Sequence, residues 1–427
     1  MKKFFIKTLG CKTNQLESAI LEEKLLNAGF VRVNDFKDSE IFILNSCSVT
    51  HTTDNDSLKL INQIKNFNKN IFVVLTGCFA QLQAKELGEN ANIDLILGND
   101  DKFDIVEYIN KKSKICVSDI MQIRNFNFQL VEDISKTRAN LKIQDGCNNR
   151  CAYCTIPFAR GYSRSNSIEN VIKQIEIYVQ HNFQEIILTG IHIGQWGQDL
   201  SPKKNLIDLL AAIEKSDIKR YRLGSLNPLE ITDDLLEFLS KSEKFCPHFH
   251  LSLQSANNKI LNLMNRKYRV EDYLEQIKKI NTMFNLPFLG ADIIVGFPKE
   301  TDEDFEITKN NLQNSGLSKI HVFPYSKRSG TVAYDMDNQV KDETKKQRAK
   351  ILQDVSKKLN NDFMQKNLNT VHQIMIEKKL TKDGYLKGIS ENYINVITTS
   401  KNSNLLNTIQ KVRFVKQIDD KMEADII

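Results

Sequence analysis

The chain lacks any apolar run approaching the ~20 residues that cross a bilayer. It also lacks a secretory leader, because the apolar start Phe4-Phe5-Ile6 is cut at once by Lys7. That start reads as a first strand, with a cytoplasmic setting and no membrane partner expected. Eight cysteines without a leader point to a reducing compartment, where thiols serve metals or catalysis more often than disulfides. Charge bias is absent over most of the chain. Residues 341–427 carry 17 Lys and Arg against 11 Asp and Glu, which leaves 42 of each sign in residues 1–340. The net charge of +6 therefore lies at the C-terminal end, where it can track a polyanion by phosphate contacts; a solvated helix with surplus lysines is the other reading. At 427 residues, 41% hydrophobic and 26% charged, the composition is that of a globular protein of two or three domains.

What is present is a dense cysteine motif. Cys147, Cys151 and Cys154 fall in Gln144-Asp145-Gly146-Cys147-Asn148-Asn149-Arg150-Cys151-Ala152-Tyr153-Cys154. Three thiolates in one tight loop can hold three irons of a four-iron cube and leave the fourth open to activate a small molecule. A zinc knuckle or a chance cluster of buried thiols is the alternative. Zinc usually takes a fourth Cys or a His close by, and the local stretch has neither. The spacing Cys-x3-Cys-x-aromatic-Cys, with Tyr153 as the aromatic, resembles the signature of the radical S-adenosyl-L-methionine (SAM) enzymes. The resemblance implies that the open iron chelates the amino and carboxylate groups of SAM and that an electron passed through the cluster cleaves the sulfonium.

The first hundred residues alternate apolar runs with helical stretches, the pattern of a parallel α/β sheet. Runs at 4–6, 41–44 and 71–75 lead to Cys11, Cys47 and Cys78 respectively. Helices are expected over 14–29, capped by Gly29, and over 52–67. Right-handed crossovers bring the strand ends to one edge, and three thiols with them. The arrangement suggests a second cluster; three small buried hydrophobes are the competing reading. Cys116 and Cys246 have no such setting and are expected in the core.

From about 133 to 335, strand-then-helix repeats six times, with strands at 139–143, 185–189, 221–224, 249–253, 290–295 and 320–323. Helices at about 167–182 and 270–285 illustrate the repeat. Six parallel strands curl toward an incomplete barrel whose C-terminal mouth carries the reactive groups. The cysteine loop follows the first strand, and the radical SAM resemblance implies the same partial (β/α)6 barrel. Thr189-Gly190-Ile191-His192 stands where that family often has Gly-Gly-Glu, and only Gly190 matches. The strand ending at Gly296 suits close approach of an adenine, though a turn glycine is the plainer reading. His192 is a candidate proton carrier or SAM neighbour, or a loop histidine with no role.

Residues 341–366 read as a lysine-rich helix, densest at Lys345-Lys346-Gln347-Arg348. Beyond it, β-prone runs at 373–376, 393–397 and 412–415 alternate with Gly, Asn and Ser, as in a small β-barrel. Such barrels commonly bind RNA, and the basic surplus fits.

In this order the parts resemble the methylthiotransferases across nearly the whole chain. The matching motifs are Leu9-Gly10-Cys11-Lys12-Thr13-Asn14-Gln15, Asn45-Ser46-Cys47-Ser48-Val49-Thr50, Thr76-Gly77-Cys78, the stretch from Gly146 to Gly161, His250-Leu251-Ser252-Leu253-Gln254-Ser255, Val295-Gly296-Phe297-Pro298 and His321-Val322-Phe323-Pro324-Tyr325-Ser326. The resemblance implies an N-terminal domain with an auxiliary cluster over 1–120 and the radical SAM barrel over 133–340. A basic linker over 341–366 and an RNA-binding β-domain of the TRAM type over 367–427 would follow. It implies two 4Fe-4S clusters, on Cys147, Cys151, Cys154 and on Cys11, Cys47, Cys78. SAM is expected beside Tyr153, Gly190, Gln254 and Gly296. Gly-Cys-Lys-Thr-Asn-Gln at the first cysteine resembles the branch acting on threonylcarbamoyladenosine beside the anticodon of tRNA. The alternatives are isopentenyladenosine in tRNA, an aspartate of a ribosomal protein, or a non-catalytic iron–sulfur RNA-binding protein. An electron donor such as flavodoxin or ferredoxin and a sulfur source are further implied partners. Arg160 and Arg164 are expected to meet phosphate or to pair at the surface. Three positions depart from the family pattern: Lys299 replaces a glycine, Ala256 a glycine and Asn227 an acidic residue.

Overall fold

β-rich apolar runs alternate with crossover helices at the start of the chain, and they pair as a parallel sheet. In the computed structural model, which describes residues 2–48, 50–111, 113–132 and 136–427, this sheet comprises β1 (Lys3–Thr8), β2 (Val31–Arg32), β3 (Ile41–Ser46), β4 (Phe72–Gly77), β5 (Leu95–Leu97) and β6 (Ile115–Cys116). Position 133, the expected start of the central domain, and Val49 of the second cysteine motif lie outside the described residues. The strand order is β2-β1-β3-β4-β5-β6. Side chains alternate between two buried faces: Ile41, Ile43 and Val74 enter one core, Phe42, Leu44 and Val73 the other, as a sheet covered on both sides requires. The helix Lys12–Asn27 ends before Gly29, whose φ of +83° makes the left-handed turn. The helix His51–Phe67 starts at Thr50, whose hydroxyl accepts the Thr53 N–H.

The central strands are β7 (Ala139–Lys142), β8 (Gln144–Asp145), β9 (Arg164–Ser165), β10 (Glu185–Thr189), β11 (Arg220–Leu223), β12 (Ser225–Leu226), β13 (His248–Leu251), β14 (Phe288–Val295) and β15 (Lys319–Pro324). β8 and β9 form an antiparallel ribbon that frames the cysteine loop. The others form the runs β7-β10-β11 and β12-β13-β14-β15, all parallel. Only Gly224 separates β11 from β12, so they are halves of one strand and the arc has six strands in chain order. The arc stays open between β7 and β15. The helix Lys12–Asn27 packs beside β7, and one apolar core runs from β1 through this helix into the barrel.

The 25-residue helix Asp342–Lys366 runs back over β15 and leads to β16 (Val371–Ile376), β17 (Lys387–Ser390), β18 (Asn395–Thr398), β19 (Ile409–Ile418) and β20 (Lys421–Ile426). These close as the barrel β16-β17-β18-β20-β19. β17 buries Gly388 and Ser390, and β20 sets Lys421, Glu423 and Asp425 around its buried Met422 and Ala424, so their apolar signal is thin. The small barrel is bolted to the central one by Arg220 and Arg222. Their guanidinium groups donate to the carbonyls of Gln373, Ile389, Ser390 and Glu391, and Glu185 lies between them.

Two sequence expectations change here. Within the densest basic stretch, Arg348 is buried against Glu300 and Asp302, and the Lys345 stem covers Gly296. Neither faces a polyanion, because that side of the helix supplies the packing surface for the barrel. Cys116 is half-buried on an edge strand, whereas Cys246 is in the core as expected. Among the described residues no helix is long and apolar enough to cross a membrane.

Candidate functional site

Parallel pairing aligns three strand ends, and with them the N-terminal cysteines. Thr8 pairs with Asn45, and Ser46 with Gly77. Cys11, Cys47 and Cys78 therefore stand just past the C-terminal ends of adjacent β1, β3 and β4, the edge where such sheets bind ligands. Gly77 is required before Cys78: at φ +97° a Cβ there would lie 2.2 Å from the Ser46 carbonyl. A Cβ on Gly10 would come within 2.9 Å of the Cys47 Cβ, so the first two loops touch. Cys11 Sγ donates to Asn14 Oδ1 at 3.2 Å, and Asn99 Nδ2 donates to Cys78 Sγ at 3.7 Å.

Cys147, Cys151 and Cys154 lie on one loop between β8 and β9. Gly146 opens it at φ +70°, with no room for a Cβ beside the Tyr162 carbonyl, 1.9 Å away. The Cys147 N–H donates to the Gly161 carbonyl at 3.1 Å and closes the loop. Arg266 Nη1 donates to Cys151 Sγ at 3.3 Å. His192 Nδ1 is 3.6 Å from Cys147 Sγ, and the Glu230 carboxylate backs its Nε2. Burial opposes the imidazolium, but Cys147 and Glu230 outweigh it and push His192 up to about 10. Burial pushes the Cys154 thiol up to about 12, so a bound cation, and not the protein around it, would sustain that thiolate.

Among the described residues no three Cys, His, Asp or Glu side chains close around a single metal ion. Three thiols on one loop, or on neighbouring strand ends, match in number and type the donor set of a multi-iron cluster with one open corner.

Each N-terminal cysteine element has its own tie to the central barrel. On the Cys11 helix, buried Glu17 accepts from Lys102, Lys142 and Arg160, and Asn14 Oδ1 accepts from Arg160 Nη2 at 3.1 Å. Beside Cys47, Ser48 and Asp54 bind Arg328, with 2.6 Å from Arg328 Nη1 to Asp54. Beside Cys78, Asn99 Nδ2 donates to the Ala159 carbonyl at 2.7 Å. These ties correct the expectation for Arg160 and Arg164. Arg160 is 1% exposed and Arg164 4%, and both pair with Asp145, so neither is available to phosphate.

A cavity of about 240 Å³ opens beside Cys154. Its lining includes Cys154, Tyr153, Gln254, Asp292 and Tyr325 and, from the N-terminal unit, Thr50, three residues past Cys47. The Tyr325 hydroxyl is buried without a partner among the described residues, and Gln254 holds φ +70°. Both are features of a wall shaped for a polar ligand. Of the four candidate SAM residues, Tyr153 and Gln254 line this space, while Gly190 packs on Gln144 and Gly296 on Lys345.

Sequence reasoning missed Gln144, Glu17, Arg266 and Arg328. Gln144 Oε1 accepts the N–H groups of Ile191 and His192 while its Nε2 donates to the Gly146 carbonyl, coupling the cysteine loop to the second strand's loop. A signal existed for Glu17, which shares a helix face with apolar Ile20 and Leu21. Nothing local marks the other three. The departures from the family pattern have local accounts. Asn227 caps the turn at Pro228–Glu230, Ala256 is buried, and Lys299 adopts φ +68°.

Comparison with known proteins gives two family matches: the radical SAM superfamily over residues 141–312 and the uncharacterized protein family UPF0004 over residues 3–98. The chain is 35% identical to the threonylcarbamoyladenosine tRNA methylthiotransferase MtaB of Aquifex aeolicus, over 92% of this chain and 98% of that one. It is 34% identical to the Bacillus subtilis protein of the same name, over 96% and 93%. A tRNA-2-methylthio-N(6)-dimethylallyladenosine synthase of Petrotoga mobilis is 33% identical over 100% and 99%. Among solved structures, the radical SAM methyltransferase TsrM of Kitasatospora setae shares the fold, with a TM-score of 0.58 at 12% identity, covering 78% of this chain and 77% of that one.

Proposed function

The chain belongs to the radical SAM tRNA methylthiotransferases, and from that premise we propose that it adds a methylthio group to carbon 2 of N6-threonylcarbamoyladenosine at position 37 of tRNA. The observation that carries this reading is a cavity lined both by Cys154 of one triplet and by Thr50, three residues past Cys47 of the other. A space bordered by residues of both units suits a reaction in which a C–H bond is opened from one side and sulfur arrives from the other.

Cys147, Cys151 and Cys154 would hold one 4Fe-4S cluster and Cys11, Cys47 and Cys78 the second, with SAM against Tyr153 and Gln254 and near the Gly190 and Gly296 turns. When bound, these groups supply a radical able to abstract hydrogen from carbon 2 and a sulfide that is methylated and transferred. The protein's part is placement. Arg266 places a hydrogen-bond donor on Cys151, which tunes a cluster through its sulfur. Gln144 and the His192–Glu230 pair hold the loop around Cys147. Glu17, Arg328 and Asn99 tie the elements that carry the two triplets together. The C-terminal barrel, with Lys411, Arg413 and Lys416 exposed on β19, would meet the RNA backbone. The electron donor, a flavodoxin or ferredoxin, and a sulfur source complete this reading, with a cytoplasmic setting.

The test is anaerobic reconstitution with iron and sulfide, then reduction with SAM and either threonylcarbamoylated or isopentenylated tRNA, followed by mass spectrometry of the nucleosides. A methylthio gain on the first tRNA alone is the expected result. Gain on the second alone would transfer the chain to the branch of the Petrotoga relative. Deoxyadenosine without a modified nucleoside would turn attention to a ribosomal protein, and neither product to a binding protein.

A further inference from the structure

A second cavity, of about 460 Å³, opens where the N-terminal unit, the central barrel and the C-terminal barrel meet. Lys12, Lys136, Arg138, Lys378, Lys379 and Lys387 line it, six cations drawn from all three parts of the chain. Glu377 is the one acidic residue on its wall among the described residues, and it is already engaged. Its Oε1 accepts from Arg138 Nη2 at 2.7 Å and its Oε2 from Thr137 Oγ1 at 2.9 Å. Arg138 Nη1 is buried with no hydrogen-bond partner among the described residues. Lys12 has no ion pair among the described residues and follows Cys11 directly, on the first turn of its helix. Like charges gathered in a partly enclosed space repel one another unless an anion joins them. A buried guanidinium N–H without an acceptor leaves a desolvation cost that a carboxylate would remove.

Resting on the reading above, we propose that this cavity binds the free carboxylate of the threonylcarbamoyl arm on the substrate adenine, with Lys12 and Arg138 as its specificity-determining contacts. Position explains the pairing. The arm hangs from N6, on the same six-membered ring as the carbon 2 that must reach the cluster site containing Cys11. Lys12, the residue after Cys11, brings the wall of this cavity to the edge of that triplet. An isopentenyl arm carries no charge and gains nothing from these cations. The backbone phosphates of the same RNA are the other anions within reach, and the test separates them.

The probes are anticodon stem-loops with the threonylcarbamoyl group free, with its carboxylate masked as the methyl ester, and with unmodified adenosine. Affinity is read by fluorescence anisotropy, and kcat and KM are read on the reconstituted enzyme. The wild-type chain is expected to bind the free acid at least tenfold more tightly than the ester. Lys12→Gln, Arg138→Gln and Lys387→Gln should each narrow that gap, by raising KM for the acid and leaving the ester unchanged. Lys387 is far from the cysteines in the chain, so its variant guards against cluster loss in Lys12→Gln, and iron content checks both. Equal binding of acid and ester by the wild type would overturn the site while leaving the proposed function standing. Variants that weaken all three stem-loops alike would overturn it in favour of a phosphate site. Preference for the acid without any methylthio product would uphold the site and reject the function.

Discussion

Cys147, Cys151 and Cys154 occupy one loop of eight residues, whereas Cys11, Cys47 and Cys78 come from three strand ends spread over the first 78 residues. The compact triplet is arranged by its own backbone. Gly146 turns where no side chain fits, and the Cys147 N–H meets the Gly161 carbonyl. The spread triplet is arranged by strand register and held to the barrel by Arg160, Arg328 and Asn99. Closing long loops costs entropy that local turns do not, so the second arrangement depends on buried polar contacts far from any cysteine. The same donor atoms thus have different vulnerabilities.

Replacing one cysteine in each triplet breaks the comparison most sharply. Cys151→Ala and Cys47→Ala should each lose about four irons per chain after reconstitution. Only Cys151→Ala should abolish deoxyadenosine formation; Cys47→Ala should keep it and lose the methylthio product. Loss of deoxyadenosine in both would mean that the triplets are not separable centres.

The next effect is on the tie between them. Glu17→Ala leaves Lys102, Lys142 and Arg160 buried without their shared carboxylate, and breaking such a network costs about 3–5 kcal/mol. Urea unfolding should show that loss, and the iron released first should be that of the spread triplet. An unchanged midpoint would remove Glu17 from the account.

A tie that contacts neither triplet supplies the contrast. Burial alone would raise the Glu185 carboxyl, but Arg222, Arg220 and Arg138 outweigh it and hold it at about 2. Its folded value lies below the unfolded one, so its stabilisation is fully present above about pH 4.5 and lost as pH falls toward 2. The amount is on the order of 3 kcal/mol. Glu185→Gln should flatten the acid limb of stability over that window with no change in iron content. A limb as steep as that of the wild type would show that the arginines do not act through this carboxylate.

The smallest expected effect is at Lys299, which holds φ +68° without glycine's freedom. Lys299→Gly should raise stability by about 0.5–1 kcal/mol. A loss instead would mean that the lysine side chain contributes more than its backbone costs.

Much of this molecule was legible from its residues because local patterns report local structure. The strands at 41–44, 185–189 and 290–295 and the helix at 270–285 fall on β3, β10, β14 and the helix Val270–Met283. The cysteine that follows each N-terminal strand is equally plain. β17 and β20 were not visible, because barrel closure buries alternate positions that local hydropathy does not mark. Arg160 reads in sequence as a loop arginine near a reactive site. It is a buried counterion, because its partner Glu17 lies 143 residues earlier.

By itself the sequence determined the chemistry within reach of single segments: the ligand types, the compact cysteine loop, and the order of sheet, barrel and small barrel. Only the tertiary structure decided which charges are buried, which cations share a cavity, and that Thr50 of one unit and Cys154 of the other line one space. Hydrophobic periodicity and turn residues act over a few positions, whereas burial and Coulomb pairing depend on distances that folding alone creates.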